Sequence, residues 1–235
     1  MNSEHSNRDV IKFLHQIGVD TRFISIIDNH LFINNQRFSK FSNKRQEIFQ
    51  RKFPSFTLSK SKIFQQICTR ASRILANSLK PGERIFINEN DKCSNFILNV
   101  IIEPYTRKYG IKIIYGDTLE DASKFNADAV VLPLNLDDEA EKILGKILNG
   151  EKIDVYSQKN IYSTEKNFKL IYPFINVPRS WLILWLEKLG FEYKYSNKNI
   201  ENDLIKFFEE FIPDVRENIL KSALYIEKEG ITREI

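Results

Sequence analysis

Between Arg84 and Leu134 the chain switches repeatedly between two hydrophobic periods. Three short apolar runs, Arg84–Ile87, Ile111–Tyr115 and Ala129–Leu134, are separated by stretches of helical spacing at about Ser94–Lys108 and Asp117–Phe125. A β-α-β-α-β order requires right-handed crossovers, and therefore a parallel sheet covered by helices. Such sheets take ligands beyond the carboxyl ends of their strands, where the strand order reverses. The sequence predicts an α/β, parallel-sheet, Rossmann-like domain. Pro104 is expected to bend or shorten the first of these helices. A helix over about Leu136–Asn149, a fourth strand in "LIYPFINVP" and a helix from Pro178 to Leu189 follow. Two C-terminal helices, about Glu201–Ile212 and Val215–Lys228, are separated by Pro213.

The clearest boundary signal is Lys80-Pro81-Gly82, which divides a small N-terminal region, 1–80, from the α/β part, 81–235. Ahead of it the spacing predicts a helix over 8–17 ended by Gly18, and a hairpin around Asp28-Asn29-His30. Helices over 43–53 and about 60–79 follow, on either side of Pro54.

That region is strongly basic. From Gln36 to Lys80 it carries Arg37, Lys40, Lys44, Arg45, Arg51, Lys52, Lys60, Lys62, Arg70, Arg73 and Lys80 against the single acid Glu47. The segment is therefore +10 within a chain of net charge +4. Phe38, Phe41, Phe49, Phe53, Phe56 and Phe64 interleave with the charges. A polyphosphate backbone is attracted to such a stretch through counterion release, so the first ten of these cations are candidate nucleic-acid contacts. A solvated helical face is the alternative reading.

Several classes are disfavoured. The densest apolar run, Trp181–Leu186, falls far short of the ~18 residues of a membrane span. The opening "MNSEHSNRDV" is polar and unlike a secretory signal. Cys68 and Cys93 are the two cysteines, which suits a reducing, cytoplasmic setting and provides no zinc ribbon. With His5, His15 and His30 scattered, no metal site is expected. The helix "SWLILWLEKL" is apolar on nearly every side. It is either buried under the sheet or offers Trp181 and Trp185 to a partner.

Two stretches carry the functional reading. In "FINENDKCSNFILNV" a strand, a loop and a helix meet as they do at phosphate sites. The loop Asn88, Glu89, Asn90, Asp91, Lys92, Cys93 nevertheless has no glycine and two carboxylates. In "NLDDEAEKILGKILNGE", Asn135 is placed to cap a helix, with Asp137, Asp138 and Glu139 at the positive end of its macrodipole. Leu136, Ala140, Ile143, Leu144 and Ile147 form the stripe predicted to be buried. Capping and the dipole account for every one of those acids.

The order of these stretches resembles PP-loop ATP pyrophosphatases of tRNA modification, namely the 2-thiouridine and 2-thiocytidine synthetases and their lysidine-synthetase relatives. "LPLNLDDEAEKILGKILNGE" is similar to their Gly-His-Asn-Leu-Asp-Asp-Glu-Ala-Glu-Thr motif. "KPGERIFINENDKCS" stands where they carry Gly-Asp-Arg, a strand and Ser-Gly-Gly-Lys-Asp-Ser. "YPFINVPRSWLILWLEKLGFEY" stands at their Arg-Pro-Leu segment. The resemblance spans about residues 60–228 and implies an adenine nucleotide alpha-hydrolase fold.

It also implies that the ATP site is degenerate. Asn88 stands for the family serine, Glu89 and Asn90 for two glycines, Lys92 for an aspartate and Cys93 for the last serine. Glu89 beside a phosphate would add a like-charge repulsion of about 1–4 kcal/mol. Of the acidic motif, Asn135, Asp137, Asp138 and Glu139 are retained.

The leading expectation is a non-catalytic subunit of tRNA wobble-uridine 2-thiolation without a cofactor, binding tRNA and a catalytically intact relative. A divergent enzyme is one alternative, with ATP and magnesium held by Lys92, Asp137 and Asp138. A protein-binding module that does not bind RNA is the other.

Overall fold

The computed structural model describes residues 7–88, 92–155, 161–162, 167–192 and 199–229. Helix α1 (Asn7–Gln16) precedes a hairpin of β1 (Ile24–Ile27) and β2 (His30–Ile33). Ile27 pairs with His30 across the turn, where Asp28 adopts φ 49°, a left-handed conformation that Asp tolerates better than most residues. Helix α2 (Gln36–Ser39), α3 (Asn43–Lys52) and β3 (Thr57–Ser59) follow, and β3 pairs in parallel with β2. Val10, Leu14, Phe41, Phe49, Phe53 and Phe56 pack beneath this three-stranded sheet as a core of their own.

Helix α4 (Lys62–Ser78) leads into β4 (Arg84–Asn88), α5 (Lys92–Tyr109), β5 (Lys112–Gly116), α6 (Leu119–Lys124) and β6 (Ala129–Val131). Then come α7 (Leu136–Leu148), β7 (Ile161–Tyr162), β8 (Asn167–Ile171), α8 (Arg179–Lys188), α9 (Ile200–Glu209) and α10 (Val215–Lys228). The second sheet has the order β5-β4-β6-β8-β7, parallel except for its antiparallel edge strand β7. The crossover from β5 back past β4 to β6 reverses the strand order. The crevice outside β4 and β6 is therefore the topological switch point. The predicted β-α-β-α-β order and parallel pairing are present.

Three boundaries differ from the sequence reading. Helix α5 continues through Pro104, because proline costs one backbone hydrogen bond while Ile97, Leu98, Ile101 and Ile102 anchor the helix to the sheet. The fourth strand begins earlier and ends at Ile171, and the segment after it turns, with Phe174 bridging to Asn135. The stripe of α7 covers less than predicted: Leu136, Ala140 and Ile143 are buried, whereas Ile147 is 51% exposed.

The basic region and the α/β sheet share side chains. Phe32 of β2 joins Phe64, Ile67 and Leu75 of α4 in the core formed with Ile85, Ile87, Val131 and Ile171. Trp185 of α8 is fully buried there, stacked 4.4 Å from Phe64 and edge-on to Phe32 at 5.8 Å. Between the alternatives for "SWLILWLEKL", burial accounts for Trp185, while Trp181 stays half-buried under the Arg70 guanidinium at 4.5 Å. Polar bonds add to the join. Glu103 accepts from Ile26 N, and Arg107, held by Glu103, donates to the carbonyls of Thr21 and Ile24. Among the described residues no helix is long and apolar enough to cross a membrane.

Candidate functional site

Two strand ends frame the switch point. At the end of β4, Asn88 turns its amide across the crevice and donates to the Asp117 carbonyl at 2.8 Å, tying the loop after β4 to the loop after β5. Glu89, Asn90 and Asp91 lie outside the described residues, as does the side chain of Lys92. Cys93, in the first turn of α5, is half-buried with its Sγ 4.0 Å from the Glu192 carbonyl.

After β6 the chain reaches Asn135, which caps α7 as the sequence predicts. Its Oδ1 accepts from Asp137 N at 3.0 Å and Asp138 N at 3.2 Å, and Asp138 Oδ2 accepts in return from Asn135 N at 3.0 Å. This reciprocal box satisfies donors that a helix start otherwise leaves open.

The other carboxylate oxygens turn towards two arginines that the sequence reading did not single out. Arg179, at the start of α8, donates from its backbone N to Asp137 Oδ2 at 2.7 Å. Its guanidinium donates to Asp138 Oδ1 at 2.7 Å and Glu141 Oε1 at 2.9 Å. Arg216 of α10 places Nε 2.8 Å from Asp137 Oδ1 and also pairs with Glu209. Asn199, the cap of α9, donates to Glu141 Oε2 at 3.3 Å. Both oxygens of Asp137, Asp138 and Glu141 therefore face a cation or an N–H of this chain.

Arg179, Asp137 and Glu141 are buried, and Glu139 is wholly so. Burial works against the charge on Arg179, but its bonds to Glu141 and Asp138 outweigh this and hold its pKa above the usual arginine value. A sequence signal for this cluster did exist: four acids within two turns of a helix outnumber their one neighbouring cation, Lys142, and need distant partners once buried.

Such an arrangement fastens the starts of α7 and α8 to α10. A divalent ion needs carboxylate oxygens that are free to coordinate it. Here they are committed, and no group of three His, Cys, Asp or Glu among the described residues is placed to hold a metal.

The basic candidates separate into two kinds. Arg37, Lys40, Lys44, Arg51, Lys52, Lys60, Lys62 and Arg73 are exposed on α2, α3, α4 and the segments between them. Arg45 is half-buried and donates to the Lys40 carbonyl. Arg70 is drawn into the fold, where it bonds to the Asn176 carbonyl, pairs with Glu217 at 3.3 Å and covers Trp181.

A parallel sheet with this strand order, and a capped acidic helix beside its switch point, make up a Rossmann-like α/β fold. No protein-family profile matches the chain, and no curated protein matches it by sequence. Among solved structures it is similar to the U34-tRNA thiolase NcsA from Methanococcus maripaludis, determined with its 4Fe-4S cluster. The two share 14% identity at a TM-score of 0.54, over 75% of this chain and 83% of the thiolase.

The residues present do not fit such a cluster, which is held by several cysteine thiolates. This chain has two cysteines. Cys68 is buried within α4, and burial pushes its thiol well above the usual range, towards the protonated form that does not ligate iron.

Proposed function

We propose that this protein is a non-catalytic PP-loop-fold subunit of tRNA wobble-uridine 2-thiolation. It binds tRNA through the exposed basic face of its first 80 residues and acts in the cytoplasm beside a catalytically intact relative. The observation that carries this reading is the closed acidic cluster. On the side of the sheet where a PP-loop enzyme needs carboxylates for its nucleotide and metal, Asp137, Asp138 and Glu141 face Arg179, Arg216 and Asn199. The glycine-free loop from Asn88 to Cys93 supports it, since backbone N–H groups approach a pyrophosphate most readily through glycine. The similarity in fold to a U34-tRNA thiolase supports the choice of reaction class.

The test combines three measurements on the full chain. Binding to a tRNA transcript weakens steeply with salt, by roughly 0.7–0.9 log units per log unit of salt for each phosphate neutralised. Pyrophosphate release from ATP and magnesium stays at background with tRNA present. A pull-down from native extract recovers both tRNA and an intact PP-loop relative. Failure to bind tRNA, or binding indifferent to salt, sinks the proposal. ATP turnover that depends on tRNA would promote the divergent-enzyme alternative in its place.

A further inference from the structure

A second concavity lies away from the switch point, where the N-terminal region meets α4 and α5. It encloses about 310 Å³, near the lower end of small-ligand pockets at about 300–1,000 Å³. Its lining carries four aromatic rings, of which Tyr105 and Tyr109 also pack against the main core. Phe23 and Phe38 form one aromatic pair, with centroids 5.3 Å apart and rings inclined at 33°. Tyr105 and Tyr109 of α5 form another, at 6.0 Å and 31°. Phe38 is 54% exposed.

Each aromatic pair carries a cation. Arg37 lies over Phe38 at 5.9 Å, Arg22 over Phe23 at 5.8 Å and Lys108 over Tyr109 at 4.3 Å. Asp20 already holds Arg22 at 2.6 Å, whereas Arg37 and Lys108 form no ion pair among the described residues. The lining also offers neutral polar groups. Asn35 uses its Oδ1 to cap α2, which leaves its amide NH₂ for a ligand. Burial pushes the Tyr105 hydroxyl up to about 12, so it remains a neutral donor at ordinary pH.

One exposed ring, Phe38, and three half-buried ones beside cations without an ion pair, with an amide and a phenol in the lining, match the chemistry by which proteins hold unstacked nucleobases. From this arrangement we infer that the pocket between α2, α4 and α5 receives one unpaired base of an RNA. The base stacks on Phe38 and the tyrosine pair, and its flanking phosphates lie on Arg37 and Lys108. The inference rests on the tRNA-binding reading above and adds to it a particular element: a base outside any helix, held away from the switch point.

The test uses the full chain with three probes: a tRNA transcript, a short single-stranded RNA and a fully paired RNA duplex. Phe38→Ala removes an exposed ring and leaves the core intact. Ser72→Trp, from the α4 wall, fills the cavity without removing a cation. Both variants, after near-UV circular dichroism shows a native signal, are expected to weaken tRNA and single-stranded RNA binding about tenfold. The salt slope stays unchanged, and duplex binding is unaffected. Lys108→Ala instead lowers the salt slope by about one.

If tRNA binds with normal salt dependence but both pocket variants match the wild type, the pocket inference fails and the tRNA reading stands. Equal losses on duplex RNA also overturn the pocket inference, because a duplex offers no unpaired base. Absence of all RNA binding by the wild type overturns both.

Discussion

Arg179 donates to Glu141 across 2.9 Å, with both side chains only 7% exposed, and so joins the start of α8 to the second turn of α7. The contact spans 38 residues of sequence and closes on the acidic first turns of α7. It turns an acidic motif into a fastening.

Removing that guanidinium strands carboxylates that have left water. Arg179→Met is expected to destabilise the protein by about 3–5 kcal/mol, since breaking a buried pair costs more than replacing it whole. Adding Glu141→Leu should recover part of the loss. Urea unfolding of both variants checks this; a single variant as stable as wild type contradicts the fastening role.

The two tryptophans of α8 should respond very differently to truncation. Trp185 is wholly enclosed by Phe32, Phe64 and Phe96, so Trp185→Ala is expected to cost about 3–5 kcal/mol. Trp181→Ala loses part of a half-buried surface and the Arg70 stack, a smaller loss of about 1 kcal/mol. Equal unfolding midpoints for the two variants would contradict this packing.

Tyr105 sets a dependence on alkaline pH. Its pKa is raised to about 12 by burial, with the neighbouring Cys68 and Tyr109 adding to the shift, against about 10 for a free tyrosine. A raised folded-state value means its contribution is fully present below about pH 10. It is lost as the pH climbs through about 12, because the unfolded phenol ionises first. Stability measured across that window should fall more steeply for wild type than for Tyr105→Phe, and parallel curves would contradict it.

The two thiols should react unequally. Cys68 is buried, and burial raises its thiol pKa well above the ordinary range, whereas Cys93 is half-buried at the start of α5. A thiol reagent is expected to modify Cys93 alone in the folded chain and both residues in denaturant. Tryptic mapping of the labelled peptides distinguishes them, and labelling of Cys68 under native conditions would falsify the burial.

How far the sequence could be read depended on how local the cause was. The Asn135 cap, the hairpin turn at Asp28 and the alternation from β4 to β6 rest on interactions within a few residues, so spacing and side-chain chemistry displayed them. Pro104 does not shorten α5, because its local cost is outweighed by the contacts the helix makes with the sheet. Ile147 was expected inside on periodicity alone, but it borders an open apolar concavity with Phe208, Ile219 and Ile226 in place of closing against them.

The nature of the candidate site could not be read in this way. By itself the sequence determined an acidic, capped helix start beside a loop without glycine, because capping, dipole and backbone freedom are properties of adjacent residues. Only the tertiary structure decided that Asp138 meets Arg179, 41 residues along the chain, and that Asp137 meets Arg216. It also brought Phe38 and Tyr109 to one pocket. Which charges and rings meet depends on the crossovers of the sheet and the packing of whole helices. That arrangement neutralises the acidic motif and leaves Arg37 and Lys108 open to a ligand.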